Sequence, residues 1–393
     1  MRDVTELCEP GTLSDATAVM RELGSTGARL AFVGGGTHTI GDPASGDVMV
    51  STRKLTRIIE YAPEDQTVTV EAGVTVAQLA EVLATRGQRL VLEVADPQRS
   101  TIGGAIASNA FGPRRLRFGS LKDLILGVSL VRADGVEARA GGKVVKNVAG
   151  FDISKFVVGS HGTLALITSA TLRVHPLPEV SEAMRVAHLP SGMVWDLVIA
   201  MREQQLEPAA IIAARGMNGP AGYDVDVVFE GVRSGVDAQV KCLCDIAEGR
   251  GWSMAELASV RVLAADAAAR SAGPFRVRCT TSPSGFAASD EHLIEPLART
   301  LTSTAVNAYP ALGIFTVAGT PTPETAAAVA KCREQIEQSG GSLIVEAQPA
   351  ASGGVPAIEP WGTPPPSFQL MQRLKSRFDP NGRLAPGRFV GGL

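Results

Sequence analysis

The 393-residue sequence has little of what marks several large protein classes. No apolar run approaches the ~20 residues that a membrane-spanning helix needs, and the first residues lack the charged-then-apolar pattern of a secretory leader, so a cytoplasmic location without a direct membrane span is expected. The five cysteines, Cys8, Cys242, Cys244, Cys279 and Cys332, are odd in number and scattered, which argues against a disulfide framework. Cys242 and Cys244 stand two apart in an expected helix and point to different sides, a poor metal clip. No Cys-x-x-Cys series is present to hold an iron–sulfur cluster. The five histidines form no H-x-x-x-H or H-x-x-E-H pair, which disfavours zinc. Charge is nearly balanced, 37 basic against 40 acidic residues, and gives no electrostatic case for nucleic acid. The nucleotide fingerprints G-x-G-x-x-G and G-x-x-x-x-G-K-[ST] are both missing, which disfavours Rossmann and P-loop readings.

What the chain does have is glycine, 42 residues of it. Ala31-Phe32-Val33 is a short apolar strand that runs into Gly34-Gly35-Gly36, then Thr37 and His38. Glycine at a strand end weakens the fold by roughly 0.5–1 kcal/mol relative to alanine, so a run of three suggests that bare N–H groups or positive φ angles are needed. Converging N–H groups without side chains form a concavity suited to an anion such as a pyrophosphate. A tight turn is the plainer alternative. A second stretch, Ser100 to Gly112, is almost entirely small residues with hydroxyls and one amide. Its expected use is to let an extended ligand lie flush against backbone, with Thr101, Ser108 and Asn109 supplying hydrogen bonds.

The order of these segments resembles the FAD-binding domain of the vanillyl-alcohol oxidase family, the PCMH-type fold. The residues that carry the resemblance are Val33-Gly34-Gly35-Gly36-Thr37, Thr101-Ile102-Gly103-Gly104, Phe118 to Asp123, Lys146 to Asp152 and Gly159 to Leu164, followed by Phe378 to Arg388 as a closing motif. Within the family, the compact length, the Lys146 to Asp152 element and the closing motif are most similar to the FAD-binding E subunits of bacterial glycolate oxidases.

The resemblance implies roles for single positions. Val33, Gly34, Gly35, Gly36, Thr37 and His38 would wrap the pyrophosphate. Pro97, Thr101, Ile102, Gly103 and Gly104 would run along the ribityl chain and flavin, followed by Ser108, Asn109 and Gly112. Gly162 and Ile167 would sit at the adenine side or the flavin edge. The chain also departs from the family. Val33 stands where arginine is frequent, Ala385 where asparagine precedes Pro-Gly, and Phe151 where tyrosine is common. The phosphate charge must then come from elsewhere; Arg114, Arg115 and Arg117 are close in sequence but read as a solvated surface cluster. Some relatives attach flavin through a histidine near the glycine run. His38 lies beyond that register, so FAD is expected to be bound non-covalently. His161 either approaches the flavin or is a hydrogen-bonded structural histidine.

The expected fold class is α+β: a PCMH-type FAD-binding domain of two α+β subdomains with an inserted antiparallel-sheet cap domain. Residues 1–176 alternate helix (Ser14 to Leu23, Val76 to Arg86) with strands (Arg29 to Val33, Val48 to Ser51, Ile58 to Tyr61, Thr67 to Glu71, Leu124 to Arg132, Leu164 to Val174), up to the His175-Pro176-Leu177-Pro178 boundary. Residues 180–350 repeat a strand and helix rhythm twice, with a helix expected over His292 to Leu301 in the second repeat, the pattern of an α+β cap. Residues 351–393 comprise a linker, within the proline-rich Pro349 to Pro366, and a helix from Phe368 to Phe378 that opens a segment returning to the FAD domain.

Function is then expected to be oxidation of a 2-hydroxy acid by hydride transfer to flavin, in the FAD-binding subunit of a glycolate-oxidase-like complex. With no second redox centre in its own sequence, the chain must pass electrons to oxygen, a diffusible carrier or a partner. The resemblance implies partners, a second flavin subunit and an iron–sulfur subunit, through which the chain could sit at the inner membrane. A self-sufficient FAD-dependent alcohol, polyol or hydroxy-acid oxidase or dehydrogenase and a non-catalytic flavoprotein scaffold stay open. No catalytic residue is assigned: Glu291-His292 lacks the neighbours of the family's substrate motifs, and Lys143, Lys146 and Asn147 read as surface residues or substrate-face groups.

Overall fold

The computed structural model describes residues 6–37, 40, 48–142, 153–216, 222–349 and 357–393. The chain divides into two compact units, one of residues 1–111, 119–177 and 363–393, the other of residues 112–118 and 178–362.

The first unit holds two sheets. Strands β1 (Glu6–Cys8), β2 (Leu30–Val33) and β3 (Val48–Ser51) pair in parallel in the order β1-β3-β2. Helix α1 (Leu13–Thr26) is started by Thr12, whose hydroxyl accepts from the Asp15 N–H, and stopped by Gly27 at φ 72°. Its Ala16 and Met20 are fully buried with Leu30 and Val50. The second sheet is antiparallel, with β4 (Ile58–Ala62), β5 (Thr67–Glu71), β7 (Ile125–Val131), β8 (Glu137–Gly141) and β9 (Leu166–Arg173) in the order β4-β5-β9-β7-β8; a short pair, β6 (Gln88–Arg89) with β10 (His175–Pro176), lies apart. Alternation decides the faces: Val68, Val70, Val128, Leu130, Ala170 and Leu172 turn to the core with helices α2 (Val76–Ala84) and α3 (Ile102–Ser108). On the other face Thr69 and Thr171 meet hydroxyl to hydroxyl at 2.9 Å.

The helix Phe368–Phe378 leads into a segment laid beside β2, where Leu30 N–H donates to Arg383 O (2.8 Å) and Ala385 N–H donates to Leu30 O (2.7 Å). Three buried polar side chains hold that return. Lys375 Nζ donates to Asp379 (2.7 Å), to Thr163 O (2.8 Å) and to Leu384 O (2.7 Å). Arg383 donates to the carbonyls of Leu23 (2.8 Å) and Ala133.

The second unit is one eight-stranded antiparallel sheet. Its strands are β11 (Val180–Leu189), β12 (Ala210–Gly216), β13 (Tyr223–Gly231), β14 (Met254–Leu257), β15 (Phe275–Thr280), β16 (Leu301–Tyr309), β17 (Ile314–Pro321) and β18 (Ser342–Ala347), in the order β14-β11-β13-β12-β16-β17-β15-β18. The two rhythms read in the sequence are its halves, joined through β12 and β16. Helices Ser191–Glu203, Arg233–Gly249 and Thr325–Gln338 bury their apolar sides on one face around Phe229, Phe275, Phe286 and Phe315. Alternate positions carry buried ionic groups: Arg185 on Asp226 (2.7 Å), and Asp266 accepting from Arg270, Asn307 and Tyr309. Burial raises the Asp266 carboxyl above its ordinary value of 3.8 against the pull of Arg270.

The structure differs from the sequence reading at four places. Residues 251–274 carry a strand and the helix Ser259–Arg270, whose alanines give no apolar stripe to read. The helix expected over His292 to Leu301 is a π-helical turn, Asp290–Ile294, then Glu295–Ala298, because Pro296 brings no N–H and β16 begins at Leu301. The arginine cluster is not solvated throughout: Arg114 is mostly buried against Glu230, while the exposed Arg117 donates to the Glu230 carbonyl at 2.9 Å. A carboxylate as buried as Glu230, 3% exposed, requires such a counter-charge. Ile358, Glu359 and Pro360, inside the stretch read as linker, bond to Gln348, Arg333 and Val345. Among the described residues no helix is long and apolar enough to cross a membrane.

Candidate functional site

The glycine run leaves β2 at Val33, whose carbonyl accepts from Thr52 N–H at 3.0 Å. Each glycine is required for its own reason. A Cβ on Gly34 would stand 2.2 Å from Thr101 Oγ1, and one on Gly35 would stand 1.7 Å from the Arg99 carbonyl oxygen. Gly36 has room but sits at φ 71°, the left-handed region. Among the described residues, the N–H groups of Gly34, Gly35 and Gly36 donate to no acceptor. Three bare donors in succession have the chemistry of an anion-holding concavity.

These residues form one wall of a cleft in the first unit with about 710 Å³ of empty space, part of it open to solvent. Val33, Gly34, Gly35, Gly36 and Thr37 line that wall; Thr101, Gly103, Gly104 and Ser108 line a second; Gly162 and Ile167 line a third. Thr37 Oγ1 and Ser100 Oγ, 2.8 Å apart, tie the first wall to the second.

The small-residue stretch, expected to let an extended ligand lie against its backbone, is helical. Thr101 caps α3 by accepting from Gly104 N–H at 3.2 Å, and Asn109 ends it at φ 51°. One side of the helix, with Ile102, Ala105 and Ile106, is buried in the sheet core, and Gly103 lies so close that a Cβ would be 2.7 Å from Ala72 Cβ. What the helix presents to the cleft is then small: Gly103, Gly104, Ala107 and Ser108. Ser108 Oγ donates back to Gly104 O at 2.8 Å.

The remaining expected positions fall outside the cleft wall. Ile102 is 1% exposed in the core, because helical rather than extended backbone turns it inward. Asn109 is used as the helix stop. Pro97 lies on an exposed turn with its carbonyl accepting from Ala77 N–H, and Gly112 belongs to the second unit. His38 is outside the described residues, as are Lys143, Lys146 and Asn147.

Sequence reasoning missed Phe32, Ile40, Thr52, Ala107, Ala165, Leu166 and Arg388, all on the cleft wall. Arg388 stands in the closing motif, so its place in the sequence was visible although its use was not. Its Nη1 donates to Phe32 O at 3.2 Å, which brings a guanidinium to the wall where Val33 supplies none. His161 also lines the cleft. It adopts φ 51°, its N–H donates to Ala107 O, and its ring stacks on Phe389 at 5.6 Å.

Behind this wall sits the Lys375 and Asp379 pair. Burial pulls the Lys375 ammonium below its ordinary 10.5 in spite of Asp379. Burial would raise Asp379, but Lys375 and the N–H groups of Leu384 and Arg383 hold its carboxyl below 3.8. The two directions oppose each other over the state of the pair. Three oxygens around Nζ, one of them anionic, decide for the ionised form. Glu291 and His292 are exposed in the second unit, and no group of three metal-ligating side chains occurs among the described residues. The arrangement is suited to hold an extended ligand with an anionic middle, its charge met by bare N–H groups and Arg388, its flat part against small residues.

Comparison with known proteins agrees with that chemistry. Residues 5–141 match a family model described as an FAD binding domain. Glycolate oxidase subunit GlcE of Escherichia coli (strain K12) is 34% identical over 173 residues, 44% of this chain and 48% of that protein. Glycolate oxidase subunit GlcD of Bacillus subtilis (strain 168) is 33% identical over 153 residues, 38% of this chain and 33% of that protein. D-2-hydroxyglutarate dehydrogenase of Xanthomonas citri pv. viticola is 31% identical over 199 residues, 50% of this chain and 42% of that protein. The matches thus span less than half the length of these curated relatives. The fold is that of p-cresol methylhydroxylase with substrate bound, at a TM-score of 0.74 and 15% identity over 97% of this chain and 88% of that one.

Proposed function

From a chain whose residues 5–141 are an FAD-binding domain of the PCMH type, we propose an FAD-carrying subunit of a glycolate-oxidase-like complex that takes part in oxidising a 2-hydroxy acid. The observation that carries the cofactor assignment is the glycine run. Three N–H groups without acceptors line a cleft at positions where a Cβ would collide or the backbone is left-handed. They fit the diphosphate of FAD, with Arg388 as the cation beside them. The cleft side of α3, Gly104, Ala107 and Ser108, fits the ribityl chain and flavin, and Gly162 with Ile167 fits the adenine side or flavin edge.

Bound FAD would supply the two-electron acceptor for the hydride that leaves the carbon bearing the substrate's hydroxyl. The chain's own residues bind and orient: backbone donors fix the diphosphate, and the shallow side of α3 leaves room for a planar ring. A charge-assisted hydrogen bond is worth about 1.5–3 kcal/mol, so several donors offset the conformational cost of the run. His38 lies beyond the register of covalent attachment, and FAD is held without a bond. The likeness to subunits named for glycolate oxidase supports a 2-hydroxy acid substrate and partner subunits, a second flavoprotein and an iron–sulfur protein.

The test is anaerobic reduction. Purified chain loaded with FAD is mixed with glycolate, D-lactate or D-2-hydroxyglutarate, alone and with partner proteins co-purified from its source, and absorbance at the flavin band is followed. Bleaching only with partners is expected. Bleaching of the isolated chain would instead identify a self-sufficient dehydrogenase, and no bleaching in either state a scaffold.

A further inference from the structure

We propose that Arg53 and Arg99 are positioning residues that hold the carbonyls of the glycine run on one side so that its N–H groups are pre-set for a diphosphate on the other; the inference rests on the cofactor reading above. Arg53 Nε donates to Gly34 O at 2.9 Å and its Nη2 to Gly35 O at 3.3 Å. Arg99 Nη2 reaches Gly35 O from a second direction at 3.4 Å. In a trans peptide the C=O and the following N–H point opposite ways. Fixing Gly34 O and Gly35 O therefore aims the N–H groups of Gly35 and Gly36 the other way.

Neither arginine lines the cofactor cleft. Both line a separate cleft, open to solvent, which shares only Gly35 and Thr101 with the first. Each arginine is itself placed. Arg53 stands two residues after the end of β3, its N–H donating to Ser51 Oγ at 3.3 Å, and the Arg99 N–H donates to Asp96 Oδ1 at 3.2 Å. Glycine is the residue with most backbone freedom to lose, so a run of three without such clamps would sample orientations that turn the donors away. Guanidinium donors on the carbonyls also polarise the peptide units and strengthen the N–H groups as donors.

The test is FAD titration by fluorescence quenching on apoprotein of the full chain, for wild type, Arg53→Gln, Arg99→Gln and the double variant, at low and high sodium chloride, with apoprotein thermal midpoints beside it. FAD affinity is expected to fall about tenfold in Arg53→Gln, about threefold in Arg99→Gln and further in the double variant, with apoprotein midpoints unchanged. Those ratios are expected to survive salt, because a contact hydrogen bond is not screened as a distant charge is. Variants that bind FAD like wild type overturn the inference, and so does a loss that vanishes at high salt, which would make the arginines a distant field only. If Arg53→Gln lowers the apoprotein midpoint, Arg99→Gln, whose side chain is 64% exposed, carries the same comparison. A wild-type chain that takes up no FAD sinks the cofactor reading instead, and is told apart by that control.

Discussion

Alanine placed at each member of the glycine run gives three different outcomes. At Gly36 there is space, the nearest atom beyond the chain neighbours being 3.9 Å away, and the cost is the left-handed backbone alone, about 1–2 kcal/mol or roughly 5–30-fold in affinity. At Gly34 the new methyl meets a side-chain oxygen, Thr101 Oγ1, at 2.2 Å. Something must move by more than 1 Å, an overpacking cost of about 1–3 kcal/mol. Thr101→Ala removes that oxygen and loses the cap bond to Gly104, about 1 kcal/mol, so the double variant Gly34→Ala/Thr101→Ala is expected to bind FAD better than Gly34→Ala alone. At Gly35 the obstacle is backbone, the Arg99 carbonyl at 1.7 Å, and no side-chain change relieves it. Gly35→Ala is expected to lose FAD by ~1,000-fold or more, and Arg99→Ala is expected to give no rescue. Fluorescence titration with thermal midpoints of each apoprotein reads the series. Gly35→Ala binding within ~3-fold of wild type, or a Gly35→Ala recovered by Arg99→Ala, would refute the reasoning, since the clash would then not be with a fixed carbonyl.

Further outcomes can be measured on the same protein. Lys375→Met strands the buried Asp379 carboxylate and is expected to cost about 3–5 kcal/mol in urea unfolding, with part returned by adding Asp379→Asn. Asp379 has a folded-state carboxyl below the ordinary 3.8, so its contribution is complete above that value and is lost as pH falls through the folded value. Urea midpoints followed down from pH 4 should therefore fall less steeply in Asp379→Asn than in wild type. Ala385 is buried at φ 43°, where glycine is unstrained, and Ala385→Gly is expected to raise stability by about 0.5–1 kcal/mol after allowance for the freer unfolded chain.

Features that depend on neighbours in sequence were legible. The strand running into Gly34, the capped helix from Leu13, the alternation of Thr67 to Glu71 and the helix from Phe368 are all local patterns, and the structure has each within a few residues. The glycine run itself pointed to bare donors or a tight turn, and the close approaches at Gly34 and Gly35 that also call for glycine were not legible. What failed to show were relations across distance. Arg53 and Arg99 are ordinary surface arginines in the sequence, and only the fold brings both to the carbonyls of one run. Arg114 read as solvated because its partner, Glu230, lies 116 residues away. Ile102 was placed with the ligand by the family resemblance, which follows the order of residues along the chain. A helix instead divides them by face, and their order alone does not say which face each takes.

Strand Leu30–Val33 is completed by residues that the ribosome adds much later: Arg388 reaches Phe32 across 356 positions. At about 5–20 residues per second, a nascent chain waits roughly 20–70 s between making the glycine run and making the segment that closes beside it. Loading of FAD into a finished pocket must therefore await synthesis of that segment, and a chain stopped a few dozen codons before it would have every glycine in place and no closed pocket to fill.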